Sequence, residues 1–187
     1  MLESLKLRIA KWRRLGRLTD AAGSEIVAHT PRQYPEAYLH AVYAAKKARV
    51  WACYFPNLPD PLEALFWECN GLAIFSELNL WGIRDHYARD LSARFQPFDL
   101  LTHHEEKIHQ LRSSERRVFF GSFFSAEVAV AVGYESSRVF GYRSKEEKPF
   151  TDWPDVPTFL ESEFDRLESL HDPSGYPIRP LEFGKKA

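Results

Sequence analysis

The chain has 187 residues, of which 44% are hydrophobic and 14% aromatic, a composition that fits one globular domain with a sizeable core and excludes a disordered chain. The net charge of −1 excludes a bulk attraction to nucleic acid, although residues 1–50 carry +6 and the remainder −7. No apolar run has membrane-spanning length, and basic residues interrupt the N-terminal segment where a signal peptide would need an apolar core.

The first predicted element is an amphipathic helix over residues 1–18. Leu2, Leu5, Ile9 and Trp12 fall on one stripe at helical spacing, and lysines and arginines occupy much of the remaining surface. One interpretation is a helix that docks its apolar stripe on the domain and leaves its basic side in solvent. The alternative is a basic surface that binds a partner, RNA or an anionic membrane.

Two further helices are predicted before the strands begin. An alanine-rich stretch, 34–55, has a proline near its start and predicts a helix that packs through Tyr38 and Val42. After the break at PNLPDP, Asp60 is a strong N-cap and Pro61 suits the first helical position. The helix that follows has one apolar face, formed by Leu62, Leu65, Phe66 and Cys69.

From residue 72 onward the pattern changes to short apolar runs. The runs at 72–75, 78–83 and 98–101 are punctuated by Asn, Gly and Pro, which predicts strands. Around the run at 98–101, the layout of strands in the long polar span between residues 83 and 117 cannot be placed.

The C-terminal part of the chain predicts a hairpin and a helix. Valines alternate with alanines over 128–132, which is strand periodicity, and Gly133 begins a turn to a return strand at 138–142. A final helix begins after a cap at Asp152 or Asp155. Its apolar stripe comprises Phe159, Leu160, Phe164, Leu167 and Leu170. The predicted elements are helices first, then strands, and then a final helix. This order predicts an α+β fold with an antiparallel or mixed sheet.

Candidate reactive groups are few. Cys53 and Cys69 stand among large apolar residues at a spacing that matches no metal or redox motif, so we expect buried reduced thiols. His103, His104 and His109 form the most metal-like stretch, but ligands on one helix face lie four residues apart, whereas His109 is six and five from the other two. Neither a nucleophile elbow nor a phosphate-binding loop occurs in the sequence. We therefore expect no catalytic site, no metal and no cofactor.

One ordered set of residues is distinctive. The stretch LPDPLEALFWECNGL, 58–72, begins with Leu-Pro, continues as a short helix of aliphatic and aromatic residues, and ends with Asn-Gly before the first strand. A Leu-x-Leu-Trp strand, a valine-rich hairpin and a Thr-Asp-Trp step before a Phe-Leu helix follow in that order. The set resembles the SUKH superfamily of Smi/Knr-like domains over roughly 58–170. Asn70-Gly71 fits a left-handed helix terminus, because Gly has no Cβ to clash there.

The resemblance implies a fold and a class of function. The fold would be a curved, mostly antiparallel sheet flanked by helices, in a single domain whose SUKH-like core spans about 34–172. Residues 1–33 would form an N-terminal helical extension and 173–187 a Pro/Gly-rich tail. The function would be non-enzymatic protein binding. Many bacterial members resemble immunity proteins that neutralise a toxin, and fungal relatives are interaction hubs in regulation.

Three functions are therefore considered, in order of preference. The first is an immunity protein that binds a cognate bacterial toxin domain, such as a basic nuclease, through an acidic face. The second is a regulatory scaffold or adaptor that docks through its basic N-terminal helix, and the third is a metal-dependent hydrolase that uses the three histidines. We expect a cytoplasmic monomer or weak dimer that binds neither nucleic acid nor a membrane directly. The candidate partner-binding residues are Asp85, Glu105, Glu106, Glu146 and Glu147, and the structural motif residues are Leu58, Pro59, Asn70, Gly71 and Trp153.

Overall fold

A computed structural model describes residues 3–14, 16–27, 40–45, 58–84, 97–108, 115–143, 146–172 and 178. Within these residues the chain forms four helices and nine strands. The helices are α1 (Glu3–Arg13), α2 (Asp60–Glu68), α3 (Leu100–Ile108) and α4 (Val156–Leu170). The strands are β1 (Arg17–Thr19), β2 (Glu25–Val27), β3 (His40–Val42), β4 (Leu72–Ile74), β5 (Leu78–Leu80), β6 (Arg117–Phe123), β7 (Val128–Gly133), β8 (Val139–Arg143) and β9 (Thr151–Trp153).

The nine strands form one sheet in sequence order. Every neighbouring pair is antiparallel, from β1 at one edge to β9 at the other. The predicted α+β class with an antiparallel sheet is therefore confirmed. None of the described helices is long and apolar enough to cross a membrane.

One face of the sheet, here called the core face, packs against α1, α2 and α4. Phe123 lies directly opposite Leu78 on β5 and Val128 on β7, so these residues share that face. The Phe123 ring meets Phe159 of α4 edge-on, with ring centroids 6.4 Å apart. The valines of β7 therefore face the main core, as their alternation with alanines predicts.

The opposite face, here called the alanine face, carries a row of small side chains across the central strands. The row runs Ala41, Ala73, Asn79, Ser122 and Ala129, each residue being the cross-strand partner of the next. Helix α3 packs on this face, mainly against β6. Small side chains leave room between the helix and the sheet, and this room becomes a groove.

Helix α1 confirms the predicted amphipathic helix over Glu3–Arg13, whereas Arg17 and Leu18 of the predicted range belong to strand β1. Leu5, Ile9 and Trp12 are buried in the main core, as their stripe predicts. Its basic side chains contact acidic residues of the rest of the fold, so much of the positive charge of α1 is matched locally. The pairs include Lys6–Glu68 (2.9 Å), Arg8–Glu168 (3.0 Å), Lys11–Glu168 (3.5 Å) and Arg13–Glu25 (2.6 Å).

The predicted second helix, 34–55, is wrong where the structure describes it. His40–Val42 is strand β3, buried between β2 and β4, and Tyr38 lies outside the described residues. Helical spacing of Tyr38 and Val42 is a local pattern, and pairing on both sides of β3 overrides it. Strands β1 and β2 are a second departure, because the sequence predicted only a helical extension there.

The predicted strand at 98–101 is also wrong. Helix α3 begins at Leu100, and the Asp99 carboxylate accepts hydrogen bonds from Thr102 Oγ1 at 2.6 Å and from the Thr102 N–H at 3.4 Å. Asp99 is an N-cap residue that satisfies a free donor of the first turn. An apolar run of four residues carries too little periodicity to separate a strand from a helix start.

The remaining expectations for the described elements hold with two adjustments. Helix α2, strands β4 and β5 and the β7–β8 hairpin are present as predicted. Of the two proposed caps of α4, Asp155 is the one that binds, accepting from the Thr158 N–H at 2.8 Å. Asp60 is not the N-cap of α2. Pro59 occupies that position, and its carbonyl accepts from the N–H groups of Leu62 and Glu63.

Candidate functional site

Asn70 is a structural clamp rather than a reactive group. Its buried side-chain amide donates to the Ile83 carbonyl at 2.8 Å and accepts from the Ile83 N–H at 2.9 Å. Its backbone N–H donates to the Tyr43 carbonyl at 2.9 Å, so one residue joins the ends of β3 and β5. The end of α2 is thereby fixed against the centre of the sheet.

Gly71 adopts a positive φ of 104° immediately before β4. The predicted positive φ is confirmed, but the predicted helix terminus is not. Helix α2 ends at Glu68, and Cys69 is already extended with φ −155°. A Cβ at Gly71 would lie 2.6 Å from the Leu80 carbonyl oxygen, so the glycine allows two strands to approach closely.

The other structural motif residues also support the core. Leu58 and Trp153 are partly buried and pack against the main core. The Trp153 indole meets the Phe159 ring edge-on, with centroids 4.9 Å apart. Pro59 is buried at the start of α2. These residues hold the scaffold together, and none of them presents a chemical group to solvent at a cleft.

Cys69 is buried, as predicted, and burial raises the pKa of its thiol to about 12. Its Sγ lies 3.8 Å from the Leu65 carbonyl oxygen. Because the thiolate is the reactive form, this group is inert at neutral pH. Cys53 lies outside the described residues.

We expect the Cys69 thiol of a Cys53→Ser variant to react with an aromatic disulfide reagent at least about 100-fold more slowly in the native state than in urea, since access requires unfolding. Absorbance of the released thiolate measures both rates. Equal rates in buffer and in urea would contradict the burial of Cys69.

Two of the three histidines proposed as metal ligands, His103 and His104, make contacts within the fold. Nδ1 of His104 accepts from the Phe119 N–H at 3.2 Å, next to the point where the register of β6 shifts. The His103 ring packs on Trp81 with centroids 4.9 Å apart, and its Nδ1 lies 3.4 Å from a Glu106 carboxylate oxygen. Within the described residues no group of three His, Cys, Asp or Glu side chains could hold a metal ion. His109 lies outside those residues.

A groove of about 400 Å³ opens between α3 and the alanine face, and it is here called the α3 groove. Its floor is formed by the small residues Asn79, Ser122 and Ala129, together with parts of Phe123 and Val128. Trp81 lies at the floor too, and its indole N–H donates to Ser122 Oγ at 3.3 Å. The upper lining comes from α3 and from the flanking turns: Phe98, His103, Glu106, Lys107, Phe124 and Glu127.

Two aromatic side chains at the groove are largely exposed. Phe98 is 52% and Phe124 is 75% accessible, whereas most phenylalanines of the described residues are buried in the core. Phe124 begins the β6–β7 turn and Phe98 precedes α3. Exposing two phenyl rings on one concave surface costs solvation free energy.

The predicted acidic residues reach the groove only in part. Glu106 lines it, whereas Glu105 is exposed on the same helix but outside the lining. Glu146 and Glu147 are exposed in the β8–β9 connection, which leaves the sheet at the same end as the β6–β7 turn. Asp85 lies outside the described residues.

The sequence did not single out Asn79, Phe98, Phe124 or Glu127 as site residues. One signal was present: Asn79 is a polar residue between two leucines of a central strand, where strand propensity and burial both disfavour it. A buried polar side chain in such a position needs a hydrogen-bond partner or has a functional role.

Comparisons with protein-family models, with curated proteins and with solved structures found no match for this chain. The functional assignment therefore depends on the groove and on the residues around it.

Proposed function

We propose that this chain is a SUKH-like protein-binding domain of the immunity type, which neutralises a cognate toxin domain by binding it without turnover. The observation that carries the proposal is the pair of exposed phenylalanines, Phe98 and Phe124, on the rim of the α3 groove. Interfaces obtain most of their binding free energy from a few aromatic anchors that become desolvated near the centre.

The charge around the rim supports a basic partner. Glu105 and Glu106 on α3 and Glu127 in the β6–β7 turn are exposed carboxylates near or in the groove. Complementary charge of this kind raises the association rate and disfavours wrong partners. A basic toxin such as a nuclease fits this pattern.

The adaptor alternative receives less support from the structure. Its docking surface would be the basic side of α1, but Lys6, Arg8 and Arg13 contact carboxylates of the same chain. A partner would have to compete with these ion pairs. The apolar stripe of α1 is equally engaged, because it is buried in the core.

We expect the wild-type chain to restore growth of bacteria that express the toxin domain encoded beside its gene, and to copurify with that domain at one to one. A Phe124→Ser substitution should weaken the complex by about 2 kcal/mol, or roughly thirtyfold, because it removes an aromatic anchor. Isothermal titration calorimetry measures the difference.

Trp67→Ser is the matched control. Trp67 is 57% exposed on α2, which packs on the opposite face of the sheet from the groove, so its loss should leave binding unchanged. Two results would refute the proposal: no rescue by the wild-type chain against any neighbouring toxin domain, or a Phe124→Ser complex as tight as wild type.

A further inference from the structure

We infer that the α3 groove receives the side chain of an arginine carried by the partner, with its guanidinium held between carboxylates above and the Asn79 amide below. The inference rests on the proposed protein-binding function and specifies the chemistry that the groove recognises. Four features of the groove support it: an open amide at the floor, aromatic walls, two carboxylates and a suitable size.

The first feature is the side chain of Asn79. It is only 8% exposed, lines the groove, and belongs to the alanine face, where its cross-strand neighbours are Ala73 and Ser122. In the part of the chain that the structure describes, no hydrogen bond reaches its amide group. Because its amide atoms are accessible from the groove, a ligand that bonds to them would replace solvent there.

The second feature is a pair of carboxylates that two different elements bring to the groove. Glu106 comes from α3 and Glu127 from the β6–β7 turn, and among the described residues that line the cavity Lys107 is the one cation. The contact of Glu106 with His103 Nδ1 directs its carboxylate toward that part of the lining. Two anions against one cation favour a positively charged ligand and disfavour a phosphate.

The third feature is the aromatic lining. Trp81, Phe98 and Phe124 all border the groove. A guanidinium stacks on aromatic faces and is weakly hydrated, so it loses less on entering such a site than an ammonium does. Its five donors, arranged in a plane, can serve Asn79 Oδ1, Ser122 Oγ and a carboxylate at once.

The fourth feature is size. A volume of about 400 Å³ accommodates one long side chain and the adjacent backbone, and is too small for a folded element of a partner. An arginine at the tip of a loop, flanked by residues that pack on the two exposed phenylalanines, matches these dimensions.

The test is an NMR titration of the full chain with a blocked Gly-Arg-Gly peptide and with the matched peptide that carries neutral, isosteric citrulline. We expect the Trp81 indole N–H and the Asn79 side-chain amide signals to shift and saturate with the arginine peptide, with a Kd on the order of 1 mM. The citrulline peptide should bind at least about tenfold more weakly.

Three variants locate the effect. Glu106→Gln and Glu127→Gln should each weaken binding of the arginine peptide about threefold to tenfold, since each removes one exposed charge. Glu161→Gln should leave it unchanged, because Glu161 is exposed on α4, which packs on the core face, and does not line the groove. Thermal melts of all three verify that the fold is retained.

The inference is overturned if the two peptides bind equally, if the shifts fall away from Trp81 and Asn79, or if no signal moves up to about 20 mM peptide. Its failure is separable from that of the proposed function. Toxin neutralisation that survives both glutamate substitutions would leave the immunity proposal standing and refute the arginine site. Arginine binding without rescue by any neighbouring toxin domain would do the reverse.

Discussion

Replacing Gly71 with alanine is expected to lower the free energy of unfolding by about 3 kcal/mol, because the substitution combines backbone strain with a steric clash. Its φ of 104° lies in a region that residues with a Cβ rarely adopt. The added Cβ would lie 2.6 Å from the Leu80 carbonyl oxygen and 3.2 Å from the Trp81 carbonyl carbon, both of them backbone atoms. Urea denaturation followed by circular dichroism measures the change.

Gly23→Ala provides a control with strain but without a clash. Gly23 has φ 87°, and the nearest atom to an added Cβ would be the Ala44 Cβ at 3.8 Å, which is ordinary contact. We expect a loss of about 1 kcal/mol for this variant. Equal effects of the two substitutions would show that the approach of β4 to β5 is not what requires Gly71.

The second large effect is a loss of stability in acid that originates at His40. This residue is buried in β3, and burial, aided by the nearby charges of His171 and Lys11, lowers its pKa from 6.5 to about 3. Its Nδ1 accepts from the Phe75 N–H at 3.3 Å, so the folded state requires that nitrogen to be unprotonated. The ring also stacks on Trp12 at 3.9 Å.

The direction of the pH effect follows from the linkage between proton binding and folding. A histidine whose pKa is lowered by folding stabilises the native state fully above its unfolded pKa, and this contribution falls as the pH drops toward the folded pKa. At pH 4.5, about two units below the unfolded value, the loss amounts to about 3 kcal/mol. Urea denaturation at pH 7 and at pH 4.5 gives the two free energies of unfolding.

The variant His40→Phe separates the contribution of His40 to the free energy of unfolding from that of the carboxylates, which also titrate in acid. The phenyl ring keeps the stacking on Trp12 but cannot be protonated, and it loses the bond from Phe75, so the variant should be less stable than wild type at pH 7. The gap should close or reverse by pH 4.5. Parallel pH profiles of the two proteins would show that His40 does not titrate between the folded and unfolded states.

Gly71, Asn70 and His40 belong to one structural arrangement. Asn70 and Gly71 join α2 to β3 and to the end of β5, and His40 on β3 supports the β4–β5 turn through Phe75. The arrangement fixes β5, the strand that carries Asn79 into the floor of the α3 groove. Variants in it should therefore change binding only through the stability of the fold, whereas Glu106 and Glu127 should change binding alone.

The candidate site was predictable from the sequence only in small part. Glu106 was proposed as a partner-binding residue and His103 as a metal ligand, and both line the groove. Phe124 lies in an apolar run, and the exposure of a phenylalanine cannot be deduced from its neighbours in the chain. Asn79 and Ser122 are 43 positions apart and meet only through the pairing of β5 with β6.

The sequence by itself determined the α+β class, the amphipathic stripe of α1, the helix α2 and the β7–β8 hairpin, and it narrowed the cap of α4 to Asp152 or Asp155. These features depend on residues within a few positions of one another, where helical or strand periodicity, caps and turns act directly. The tertiary structure decided that His40–Val42 is a strand, that α3 lies across the alanine face, and that a groove remains beneath it. Those outcomes depend on which distant segments pair and on the space that small side chains leave, and no local pattern contains that information.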